Sequence, residues 1–144
     1  SEKLDIPAGL SGMIEYYQKW SFPVNHPEAV EETLKTYGDS WIAIEKSRAI
    51  HRYRFADHGV SLLENNSIIL EQGCGLELTI VNIGGQNEKW WTLGFEAFGD
   101  KGGLKTILMS VMNMVIDKHG LPDPGANISC GYAEWLQKNY LSQK

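Results

Sequence analysis

The chain predicts an α+β fold, an antiparallel sheet of about five strands in a meander, flanked in two layers by two N-terminal and two C-terminal helices. Three observations carry this. Residues 39–98 are dense in β-branched and aromatic residues and broken by Gly and Asn. Helical spacing of apolar residues brackets that block on both sides. The links between the strands are too short for the crossovers that parallel neighbours require.

At the N-terminus, SEKLDIPAG reads as loose, so residues 1–10 are left outside the packed elements of a single domain over 1–144. Ser11 is a candidate cap for a short helix through Trp20, with Met13, Ile14, Tyr17 and Trp20 on one side. A second helix follows in NHPEAVEETLKTYG. Pro27 fits its first turn, Glu28 its positive end, and Gly38 a left-handed terminator. Val30, Leu34 and Tyr37 recur at helical spacing.

Strands are expected next. WIAIEKSRAIHRYRF contains no Pro or Gly; VSLLENNSIIL reads as a hairpin turning at Asn65-Asn66; GLELTIVNI alternates; and GGQNE turns the chain into KWWTLGFEAF. Leu104, Ile107, Leu108, Val111, Met112 and Val115 then form a wide apolar helical stripe ended by Gly120 and Pro122. After the loop LPDPGAN, residues 129–141 predict the last helix, using Trp135, Leu136 and Tyr140.

With 144 residues, 42% of them hydrophobic and 22% charged, the chain can bury a core without metals or crosslinks. A net charge of −5 argues against nucleic-acid or anionic-membrane binding through bulk charge. The two cysteines, Cys74 and Cys130, are expected to stay reduced. No leader precedes Ser1 and no apolar run reaches the ~20 residues of a spanning helix, so the expectation is a cytoplasmic protein without a membrane partner.

Alternation along each strand sorts its residues into two faces. Leu76, Leu78, Ile80, Trp91, Leu93, Phe95 and Ala97 are expected toward the core. Glu77, Thr79, Trp90, Thr92, Gly94, Glu96 and Phe98 are expected outside. In the first long strand, Ile42 and Ile44 disagree in parity with Ala49, His51, Tyr53 and Phe55. A β-bulge near Lys46-Ser47 would reconcile them and place Trp41, Glu45, Arg48, Arg52 and Arg54 together outside.

The chain's only three arginines therefore meet three glutamates, Glu45, Glu77 and Glu96, on one predicted face. One reading is a cross-strand charge ladder, which the equal numbers favour. The other is an anion-recognition surface built on guanidinium forks and on Trp41 and Trp90. Other candidates are weaker. GDKGGLKT misses the phosphate-loop pattern because Leu104 stands where its second glycine belongs, and it reads as a strand-to-helix turn. His51, Asp57 and His58 lack metal-ligand spacing, so no metal or cofactor is expected. Cys130 precedes a helix, where a thiol pKa can fall. Core packing accounts for Met109, Met112 and Met114.

No motif identifies a reaction. The leading expectation is a small binding or interaction domain using Arg48, Arg52, Arg54, Trp41, Trp90 and His51 toward an anionic small molecule or acidic protein partner, with a homodimer as a special case. The alternative is a small enzyme on a phosphorylated or carboxylated substrate, with His51 or Glu45 as acid or base. A third is an apolar-ligand carrier with a cavity under the long helix.

Overall fold

The computed structural model describes residues 2–6, 10–16, 26–36, 44–56, 59–65, 67–83, 87–120 and 129–139. In chain order these form β1 (Glu2–Ile6), β2 (Leu10–Ile14), α1 (Pro27–Thr36), β3 (Ile44–Ala56), β4 (Gly59–Leu62), β5 (Gly73–Ile83), β6 (Lys89–Phe98), α2 (Leu104–His119) and α3 (Tyr132–Asn139). The class is α+β with antiparallel sheets, as expected. Two compact units contain these elements, residues 1–21 with 115–144 and residues 22–114.

The first unit departs from expectation at its start. Residues 2–6 are not loose and 11–14 are not helical; β1 and β2 pair from Glu2 opposite Ile14 to Ile6 opposite Leu10. Gly12 explains the preference. Glycine costs a helix interior about 1 kcal/mol relative to Ala, whereas in this strand its missing Cβ makes room for Ile6 Cδ1, 3.1 Å from where that carbon would sit. The later part of the expected helix, residues 17–20, lies outside the described residues. In the same unit, Ser129 Oγ accepts the Met13 N–H at 2.9 Å, and Glu15 Oε1 accepts the Gly131 N–H at 3.1 Å. A strand end and a helix entry are thereby joined across more than a hundred residues of sequence.

Among its described residues the second unit holds one four-stranded sheet of order β4-β3-β5-β6, all neighbours antiparallel. This is four strands rather than about five, and not a meander. The expected hairpin at Asn65-Asn66 does not form. Ala56 faces Gly59, so the hairpin joins β3 to β4 with two residues between the strands. Asn65 instead makes a local turn: its Oδ1 accepts the Ser67 N–H at 2.9 Å and its carbonyl the Ile68 N–H at 3.3 Å. That side-chain capture takes donors a strand would need, and 67–70 stay irregular. The ten residues 63–72 carry the chain past β3 to its other side, where β5 begins.

β6 spans KWWTLGFEAF as quoted from the sequence, and α2 buries Ile107, Val111 and Val115 at every fourth position. Gly120 ends α2 at φ 69°, its N–H donating to Ile116 O at 2.8 Å, the left-handed termination the sequence signals. α1 begins at Pro27; its expected terminator, Gly38, is outside the described residues, as are Pro122 and the loop 121–127. Cys74, Thr79, Val81 and Ile83 of β5, with Ile107 and Val111 of α2, are the largest fully enclosed side chains among the described residues of the second unit.

Candidate functional site: the two faces of the sheet

No β-bulge interrupts β3. Its register with β5 runs unbroken from Ile44 opposite Ile83 to Arg54 opposite Gly73. Parity is therefore fixed along the strand, and Ile44, Lys46, Arg48, Ile50, Arg52 and Arg54 share one face. Opposite-parity residues of β5 and even-numbered residues of β6 complete it: Glu77, Thr79, Val81, Ile83, Trp90 and Glu96. The arginine face thus also carries most of the sheet's buried residues, Tyr53 and Cys74 being on the other, which corrects the expected division into a polar outside and an apolar inside. The bulge was unnecessary because this face is mixed along its length. Val81 and Ile83 are enclosed at one end, while Arg48, Arg52 and Arg54 stay exposed toward the other.

On that face the charges form a network. Arg48 Nη1 lies 3.6 Å from Glu77 Oε2, a diagonal pairing, since Arg48 stands directly opposite Thr79. The hydroxyl of Thr79, with no exposed surface, donates to Glu77 Oε1 at 2.6 Å. Glu77 is thereby held from two sides. Arg52 is in the same cross-strand row as Gly75 and Glu96, and both charged residues are engaged. The side chain of Arg54, exposed at the strand end, makes no ion pair or hydrogen bond among the described residues. Trp90 sits half-buried and engaged near the other end. Trp41, Asp57 and His58 lie outside the described residues.

His51 and Glu45 are on the opposite face, separated from the arginines by the sheet itself. Six residues apart on one strand, they are ~20 Å distant from one another along it. This second face is where the sequence placed the core, and it is largely open. Leu78 is 42% exposed, Leu93 45% and Trp91 65%, with Leu62 at 49% on the neighbouring edge strand. Of the tryptophan pair, Trp91 is therefore the one left outside, not Trp90. The expectation failed because both faces carry apolar residues. Which one is covered depends on tertiary packing that alternation does not encode.

The register orders the open face into rows. Glu45, Asn82 and Lys89 form one; Ser47, Ile80 and Trp91 the next; then Ala49, Leu78 and Leu93; then His51, Leu76 and Phe95. Asn82 Nδ2 reaches Glu45 Oε2 at 3.5 Å. Only the far row, Tyr53 with Cys74, is closed, and burial there pushes the Cys74 thiol up to about 12 and raises the Tyr53 phenol.

The remaining candidates have structural roles. GDKGGLKT is a turn into α2, with the Gly103 N–H on Asp100 O at 2.9 Å. Gly99, at φ 133°, lies where a Cβ would meet Gln72 Cβ at 2.7 Å. Cys130 has its pKa raised rather than lowered, by burial first and then by Glu134. Among the described residues, no cluster of three or more His, Cys, Asp or Glu side chains could hold a metal ion, and no helix is long and apolar enough to cross a membrane. A shallow hollow of about 580 Å³ beside Glu71, Gln72, Phe98 and Asp100 contains none of the expected site residues. In comparisons with known proteins, the chain matches no family model, no curated protein and no solved structure.

Proposed function

We propose that the chain acts as a non-enzymatic interaction domain whose working surface is the open face of the β4-β3-β5-β6 sheet. The observation that carries this is the contiguous exposure of Leu78, Leu93 and Trp91 on adjacent strands, with Leu78 and Leu93 directly paired. Exposed apolar groups in such a block on a rigid sheet mark contact surfaces, whereas single scattered ones do not. Aromatic anchors such as Trp91 commonly dominate the energy of such contacts.

The enzymatic alternative required the arginines to hold an anion while His51 or Glu45 moved a proton. Strand alternation puts the two sets on opposite faces, which does not favour it. The anion-binding reading keeps one specific support, the exposed Arg54 without a polar partner among the described residues. A phosphate- or citrate-induced rise in melting temperature that disappears in Arg54→Ala would favour it.

The main reading is tested by Leu78→Glu. If the face is a contact surface, the isolated protein loses no more than ~0.5 kcal/mol of stability, as for other surface substitutions, while binding of an apolar fluorescent dye falls. A destabilisation above ~2 kcal/mol, the size of a buried-charge effect, would make Leu78 a core residue and defeat the proposal.

A further inference from the structure

Resting on that reading of the open face, we infer that its occupant is a second copy of the same chain, related by a twofold axis running along β5. The inference comes from how the rows are filled. On β3 the open face presents Glu45, Ser47 and Ala49, an acid followed by two small residues. On β6 the same three rows present Lys89, Trp91 and Leu93, a base followed by two large ones. β5 lies between them with Ile80 and Leu78.

Stacked sheets pack ~10 Å apart with strand directions within about 30° of each other. Two twofold arrangements satisfy that alignment. An axis perpendicular to the strands lays β3 on β3 and β6 on β6, setting large against large and small against small. With the axis along β5, β3 lies over the partner's β6 at the same level. Trp91 then meets the partner's Ser47, Leu93 the partner's Ala49, and Glu45 the partner's Lys89, each contact occurring twice by symmetry. Ile80 and Leu78 meet their own copies at the axis. Size and charge are complementary together only in this arrangement.

The charged pair is available for it. The Lys89 side chain is exposed and without an ion pair or hydrogen bond among the described residues, and among them the exposed Glu45 side chain has only the long contact from Asn82. Three strands and four rows span roughly 15 by 20 Å. With side-chain relief and Leu62 at the rim, this gives on the order of 600 Å² per copy, near the lower range of standard interfaces at about 800 Å². A reversible dimer of micromolar affinity fits that area.

The test is sedimentation velocity on the full chain across micromolar concentrations, with circular dichroism confirming that each variant is folded. Wild type is expected to dimerise and Leu78→Glu to be monomeric. Glu45→Lys and Lys89→Glu each set like charges opposite one another and weaken the dimer about tenfold. An equimolar mixture of these two variants restores dimerisation close to wild-type strength, because both charge contacts become attractive in the mixed pair. A repulsion confined within one chain gives no such restoration.

A wild type that stays monomeric overturns the inference, as does a mixture no tighter than its components. If wild type is monomeric but Leu78→Glu abolishes apolar-dye binding, the contact surface stands and the second copy falls. If Leu78→Glu changes neither the dimer nor the dye, both fall.

Discussion

Replacing Thr79 by Val removes the hydroxyl that secures Glu77 while nearly preserving shape. The donor is fully enclosed, and its 2.6 Å bond ends on a carboxylate. Hydrogen bonds to charged groups contribute about 1.5–3 kcal/mol. Glu77 keeps Arg48 at 3.6 Å, and its side chain is 23% exposed, so water and the guanidinium take over part of the lost interaction. The expected cost is about 1–1.5 kcal/mol, at or just below the lower end of that range. At ~2.1 cal/mol/K of unfolding entropy per residue, a chain of 144 residues loses about 3 °C of melting temperature per kcal/mol. Thr79→Val should therefore melt about 3–5 °C lower. Arg48→Ala, breaking an ion pair whose arginine side chain is 48% exposed, should cost less, about 0.2–1 kcal/mol. Combined, the two should cost more than their sum, because Glu77 would then have lost both partners. Differential scanning calorimetry of the two single variants and the double variant measures all three quantities. An unchanged melting temperature in Thr79→Val, or a larger loss in Arg48→Ala, would refute the view that a buried hydroxyl organises this network.

Cys74 supplies a pH prediction. Its folded pKa of about 12 lies above the ordinary thiol value, so the native state holds the proton longer than the unfolded chain does. Its contribution is fully present below the unfolded value of about 8.5 and declines as pH rises from there toward 12. The raised Tyr53 phenol acts in the same direction at higher pH. Urea unfolding from pH 8 to pH 10.5 should show falling stability, with a shallower fall in Cys74→Ala; equal slopes would show that the thiol does not titrate on unfolding. In the other unit, Gly131→Ala places a Cβ on the Glu15 carboxylate and displaces the acceptor of the Gly131 N–H. Because the side chain of Glu15 can swing away, the expected cost is that of a lost helix cap, about 0.5–2 kcal/mol. Glu15→Ala should cost a similar amount, and the double variant little more than either single one.

Local chemistry made part of this molecule legible from its sequence. Pro27 opens α1, Gly120 closes α2 with the positive φ that glycine tolerates, and KWWTLGFEAF is a strand from end to end. These signals depend on a few neighbouring residues. The errors fall where distant pairing decides. LSGMI carries a helical spacing, yet it is drawn into a strand by residues 2–6 and by the room Gly12 leaves for Ile6. The Asn65 turn was located correctly, but its side chain bonds Ser67 and creates no hairpin. The inversion of the sheet faces has the same origin. Leu78 and Val81 are equally apolar, and only the packing of the whole unit leaves the first open and the second enclosed. For the candidate site, the Arg48–Glu77 pairing was foreseeable from opposite charges on adjacent strands. The open face was not, because its residues looked like core.

The shortness of β4 bears on the concentration of arginine in β3. β4 pairs only with Tyr53–Ala56, and Leu63 N–H adds one further bond to Arg52 O. Along residues 44–51, β3 has a strand partner on its β5 side alone among the described residues, leaving that stretch of its backbone as a bare border. Such a border invites another chain to add itself as the next strand, the first step toward fibrous aggregation. Glu45, Lys46, Arg48 and Arg52 all stand along or beside it, exposed, one acid and three bases, and a neutral intruding strand would have to desolvate them. The charges of SRAIHRYRF therefore have a protective consequence independent of any ligand. They oppose the addition of a further strand at this edge of the sheet, whatever its open face contacts.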